Sequence, residues 1–147
     1  MEPLELSEEL VGRALVGLLD QSRDFGDWFL ARVLDHRGES LGAFSYRGAH
    51  RSVYHLNGES DVVAEWIGPN RHRVILLLET KVNAAFRERQ GRRYAERARR
   101  IANTESTMVR TVLLAPEHYL RAANPEAAWF DVHLSLEEVV ENARKVG

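Results

Sequence analysis

Residues 59–94 read ESDVVAEWIGPNRHRVILLLETKVNAAFRERQGRRY. The apolar run Val74-Ile75-Leu76-Leu77-Leu78 stops at Glu79-Thr80-Lys81. Five consecutive apolar residues with two β-branched members predict a strand buried on both faces. Asp61 to Ile67 reads as its partner, and Gly68-Pro69-Asn70 between them is a turn signal. Strands joined this closely pair antiparallel. Symmetry about Asn70 sets Asp61 opposite Glu79, where Cβ atoms of paired residues lie roughly 4.5–5.5 Å apart. Lys81, two residues on, points to the same face if the strand continues. Two acids and an amine then converge at one end of a buried hairpin. The lysine, a shared proton or a divalent cation would relieve the repulsion between the carboxylates. Removing one of these charges would then stabilise the metal-free fold or leave it unchanged.

The spacing also carries a resemblance. Asp61, seventeen residues, then Glu79-Thr80-Lys81 resembles the PD-(D/E)XK nuclease superfamily. Gln90 and Tyr94 resemble the Gln-x-x-x-Tyr helix motif of one of its branches. The resemblance implies an α/β fold, a restriction-endonuclease-like αβββαβ core whose mixed central sheet is flanked by helices. It implies a metal-dependent nuclease hydrolysing phosphodiester bonds of DNA, with Asp61, Glu79, Lys81, Gln90 and Tyr94 as catalytic residues. Asp61, Glu79 and the Thr80 carbonyl would hold Mg²⁺ or Mn²⁺, which a hard oxygen set suits. The family has Pro before the Asp, where this chain has Ser60. Many relatives carry a further acid on the first helix. Matching Ala14-Leu15 to the small-residue run that follows it puts Arg13 at that position, with Glu9 one turn earlier. The bland reading of Glu9, a first-turn acid opposing the helix dipole, is the preferred one.

The 147 residues suffice for one domain with a real core, and residues 1–147 read as a single nuclease-like domain, which could be cut from a longer protein. Charged residues make up 29% and the net charge is -2, so any DNA affinity rests on local patches. No apolar run approaches the ~20 residues of a membrane span. An acidic start without a signal-peptide pattern and the absence of Cys fit a cytoplasmic location. Nucleic acid, DNA in the first place, is the expected partner, and a homodimer is left open.

In chain order, Ser7 caps an amphipathic helix carrying Leu10, Val11, Ala14, Leu15, Leu18 and Leu19. Residues 20–24 break it, and Phe25 to Leu34 supports a second helix with Gly38 past its end. Residues 39–50 read as loop or irregular strand. Ser52 to Leu56 reads as the first strand, followed by an Asn57-Gly58 turn. After Lys81 a helix is expected over Asn83 to Asn103, with Phe86, Gln90 and Tyr94 stepping by four. Its seven arginines (87, 89, 92, 93, 97, 99 and 100) read as a mostly solvated face with two or three positions facing DNA. Glu88 with Arg92, and Glu96 with Arg100, are spaced for i,i+4 pairs. Met108 to Ala115 is the next strand, stopped by Pro116. Glu117 to Ala123 suggests a short helix and Trp129 to His133 a last strand. Ser135 with Glu138 forms a capping box for the closing helix. The histidines show no zinc-type spacing. The rival reading is a catalytically inactive nuclease-fold module for nucleic-acid or protein interaction. A purely structural ion cluster ranks last.

Overall fold

In the computed structural model, described over residues 7–35, 44–55, 57–105, 107–122 and 124–146, the elements follow the αβββαβ order, preceded by one further helix and followed by a short helix, a fifth strand and a closing helix. Gly38, residues 39–43, His36, Leu56, Ser106 and Ala123 lie outside the described residues.

Helix α1 (Glu8–Gln21) begins where Ser7 Oγ accepts the Leu10 N–H at 3.1 Å. Its buried stripe is Val11, Leu15 and Leu19. One serine makes the break: Ser22 donates its N–H to Leu18 and caps Phe25 N through Oγ at 3.1 Å. Helix α2 (Arg23–Leu34) then buries Phe25, Phe29, Leu30 and Val33.

Strands β1 (Ser45–His55), β2 (Gly58–Ile67) and β3 (Arg73–Thr80) run antiparallel in sequence. The observed β2–β3 register runs from Ile67 opposite Arg73 to Val62 opposite Leu78, symmetric about Asn70 as expected. Strand β4 (Met108–Ala115) lies parallel to β3, and β5 (Val132–Ser135) parallel to β4, giving a mixed sheet in the order β1-β2-β3-β4-β5. The central β3 is apolar on both faces because both are covered. Leu76 and Leu78 join the core with α1, α2 and the closing helix α5 (Leu136–Val146), while Ile75 and Leu77 pack toward helix α3 (Gln90–Glu105). The Ser135–Glu138 capping box forms as read, and Glu138 also ties α5 to Arg32 of α2 at 3.0 Å. Among the described residues no helix is long and apolar enough to cross a membrane.

Three boundaries differ from the sequence reading. Strand β1 starts at Ser45 rather than Ser52, through a register shift between Tyr46 and Gly48 that hides its alternation. Strand β5 starts at Val132, not Trp129, because residues 127–129 form a 3-10 turn that drives Phe130 into the core. Most consequential is α3, which starts at Gln90, not Asn83. Side chains hold residues 82–89 out of the helix. Glu8 Oε1 accepts the N–H groups of Val82 (3.1 Å) and Ala84 (3.4 Å), and Gln90 Oε1 accepts that of Arg87 at 3.1 Å. Arg89 turns left-handed, φ 57°, just before the helix. Phe86, Arg87, Glu88 and Arg89 therefore precede α3. Arg92 pairs instead with Glu96, at 3.1 Å. The short helix α4 spans Glu117–Arg121.

Candidate functional site

The site lies where β2 and β3 stop pairing. Beyond Val62 and Leu78 the ladder gives way to side chains. Asp61 Oδ2 accepts both the Thr80 N–H (2.9 Å) and the Thr80 hydroxyl (3.1 Å), taking the place of a strand partner. The Tyr94 hydroxyl accepts the Asp61 N–H at 3.1 Å and stands 3.1 Å from Leu78 O, so it wedges into the opening from α3.

Glu79 is 3% exposed and sits at the centre of this network. Gln90 Nε2 donates to its Oε1 at 2.9 Å, and the Tyr94 hydroxyl meets its Oε2 at 2.6 Å. Lys81 Nζ lies 3.3 Å from Oε1, donates to Ala85 O at 3.2 Å and stands 5.1 Å from the Phe86 ring centre. Burial, then the Asp61 charge, push the Glu79 carboxyl up to about 7 against the pull of Tyr94 and Lys81. Asp61, Glu79, Thr80, Lys81, Gln90 and Tyr94 thus line one cavity of about 370 Å³. Gln90 and Tyr94 occupy the first turns of α3, four residues apart on one face, so the late helix start is what brings them there.

The first-helix acid at the site is Glu8, not Glu9. Glu8 lines the cavity and holds the 82–84 backbone, whereas Glu9 pairs with Arg13 at 3.0 Å. Burial works against ionisation of Glu8, but the N–H groups of Val82 and Ala84 outweigh it and hold its pKa low. The signal was present: Glu8 continues the Val11–Leu15 stripe, three residues ahead of Val11, while Glu9 does not. Among the described residues no three His, Cys, Asp or Glu side chains form a metal-binding cluster.

Arg97 is the other residue that sequence reasoning missed. It was counted with a solvated face, yet it is 3% exposed. Its guanidinium stacks 4.6 Å from the Tyr94 ring centre, and Nε donates to Asn57 Oδ1 at 3.0 Å. Nη1 donates to Glu59 O (3.1 Å) and Ser60 Oγ (2.8 Å). Ser60, which stands where the resembled family has Pro, thus gives the segment before Asp61 a hydrogen-bonded anchor. A Cβ on Gly58 (φ 140°) would come within 2.9 Å of Arg97 Nη2, so a glycine leaves room for the guanidinium. Arg97→Lys keeps the charge but loses the fork, and its stability in urea will fall by about 1–3 kcal/mol. A loss below ~0.5 kcal/mol would mean the guanidinium does not tie the hairpin to α3.

No family model matches the chain, and no curated protein matches it. Three solved structures are similar to it. One is an EndoMS–double-stranded DNA complex, 14% identical, TM-score 0.42, over 92% of this chain and 47% of that one. A repair endonuclease from Pyrococcus abyssi is 15% identical, TM-score 0.38, over 99% and 46%. MspJI restriction endonuclease with a 27-mer oligonucleotide is 15% identical, TM-score 0.40, over 99% and 33%. The chain spans less than half the length of each.

Proposed function

We propose that this protein is a metal-dependent nuclease that hydrolyses phosphodiester bonds of DNA. The observation that carries the reading is the arrangement around Glu79. A buried carboxylate, a second acid, an ammonium, an amide and a phenol share one cavity at a strand end, with Glu79 raised to about 7. The donors fit Mg²⁺ or Mn²⁺, since such ions take one or two carboxylates and keep several waters. Asp61 and Glu79, with the Thr80 carbonyl, would hold the ion. When bound it would polarise the phosphoryl oxygen and acidify a water.

The chain's own residues would do the rest. Lys81, fixed by Ala85 O and Glu79, orients the attacking water and offsets charge growing on the phosphorus centre. Gln90 has its oxygen anchored by Arg87 N–H, so its amide nitrogen is aimed at Glu79, where it would position the attacking water. Tyr94 holds the Glu79 carboxyl and the Asp61 backbone in one geometry. Glu8 shapes the 82–84 wall rather than joining the chemistry.

An inactive nuclease-fold module remains the second reading, because each Glu79 oxygen already meets a protein donor. The test is cleavage of single-stranded, duplex and branched DNA with Mg²⁺ or Mn²⁺, beside a Glu79→Ala control. Metal-dependent cleavage that the control lacks is expected. DNA binding without cleavage by the wild type under either metal would select the module.

A further inference from the structure

The end of the β1–β2 hairpin outruns the sheet. The β2–β3 ladder stops at Val62 opposite Leu78, whereas β1 and β2 continue to His55 opposite Gly58. Residues 53–55 and 58–60 therefore form a two-stranded ribbon. A lone ribbon is marginal in water, and this one is fastened from below. Arg97 reaches Asn57, Glu59 and Ser60, and Asn57 Nδ2 donates to Arg93 O at 3.1 Å.

This braced ribbon carries Tyr54, 73% exposed. Tyr54 pairs across the ribbon with Glu59, so it shares the face of Glu59 and, two residues on, of Asp61. Glu59, Asp61 and Arg87 all line the site cavity. The Glu59 carboxylate holds the Tyr54 hydroxyl above the ordinary phenol pKa, and Arg87 acts on it in the opposite sense. An aromatic of this exposure has no packing role. Its cross-strand partner Glu59 lines the cavity read as a phosphodiester site, as do Arg87, Arg93 and Arg97, so an exposed ring so placed has the make-up of a stacking platform for a base and its backbone.

We infer that Tyr54 stacks on an unpaired nucleobase next to the scissile phosphate, making single-stranded or locally unpaired DNA the preferred substrate. The inference rests on the nuclease reading for the position of the phosphate. A base within a duplex has both faces covered by its neighbours, so the ring selects nucleotides already out of the stack. One aromatic engages one base, without sequence preference, since every base has a π-face.

Fluorescence anisotropy in Ca²⁺ tests this with a labelled single strand, the same strand with abasic residues, and the matching duplex. Wild type will bind the single strand roughly 10-fold or more tightly than the abasic strand. It will also prefer single strand to duplex. Tyr54→Ala will lose that factor and cease to tell base-bearing from abasic DNA, while Tyr54→Trp will restore it. Under Mg²⁺, Tyr54→Ala will raise KM and leave kcat near wild type. Wild type that binds no single strand, or binds abasic and normal strands equally, overturns the inference, and so does Tyr54→Ala with unchanged discrimination. Cleavage that persists with no base preference would leave the nuclease reading standing and remove the stacking. A stacking signature without cleavage under any metal would do the reverse.

Discussion

Asp61→Asn will keep the metal-free protein near wild-type stability and cut metal-dependent cleavage at least ~10²-fold, whereas Asp61→Ala will lose both. Loss of a group that merely supports a metal ligand costs about 10–100-fold, so loss of a ligand costs more. The stability half comes from Thr80, which is 1% exposed and donates its N–H and hydroxyl to Asp61 Oδ2. The hydroxyl has a second acceptor 3.3 Å away, the Glu8 carbonyl, whereas among the described residues the N–H bonds Asp61 Oδ2 alone. Alanine orphans that N–H at a cost of about 1–3 kcal/mol. Relief of the Asp61–Glu79 repulsion offsets part of it. Asparagine keeps an oxygen for the N–H and removes the charge. The charge pattern alone suggests that removing either carboxylate charge is harmless to the metal-free fold. The hydrogen bonds limit that to isosteric changes. Thermal melts and cleavage rates of the three proteins decide it; an Asp61→Ala that melts with wild type would show that the carboxylate is not replacing a strand partner.

What could be read in advance was local or periodic. A turn signal between two apolar runs sets the hairpin register, and with it the meeting of Asp61 and Glu79, because a slip by one residue would turn every buried side chain outward. Ser7 and the Ser135–Glu138 pair announce helix starts through contacts three residues long. The start of α3 escaped because its cause is not local. Asn83 to Arg89 has a helical pattern, but the N–H groups of Val82 and Ala84 are claimed by Glu8, more than seventy residues away. Arg97 escaped because seven arginines in one stretch look alike. Its one distinguishing mark is position, three residues after Tyr94 on the side that faces the hairpin. In both cases the fold uses a charged side chain as an internal brace, where the commoner fate of a charge is solvent.

Glu79→Gln will flatten the pH dependence of stability between about pH 4.5 and 7 in the metal-free protein. The folded-state pKa of about 7 lies above the ordinary carboxylate value of 4.5, chiefly through burial and then through the Asp61 charge. The folded protein thus holds a proton that the unfolded chain has released. Stability from this group is fully present below pH 4.5 and is lost as pH rises through about 7. At ~1.36 kcal/mol per pH unit the loss is bounded at roughly 3 kcal/mol. Glutamine mimics the protonated acid, keeps an oxygen for Gln90 and Lys81, and cannot titrate. Metal reverses the sign, because a divalent cation needs the carboxylate that the proton occupies. Mg²⁺ affinity will therefore rise across the window in which metal-free stability falls, and Mg²⁺ will raise the Tm of wild type most at the alkaline end. Melts from pH 4.5 to 8, with and without Mg²⁺, for wild type and Glu79→Gln read both slopes. If the two proteins share one profile and Mg²⁺ moves neither, Glu79 is a structural carboxyl locked by Gln90, Tyr94 and Lys81, and the nuclease reading fails with it.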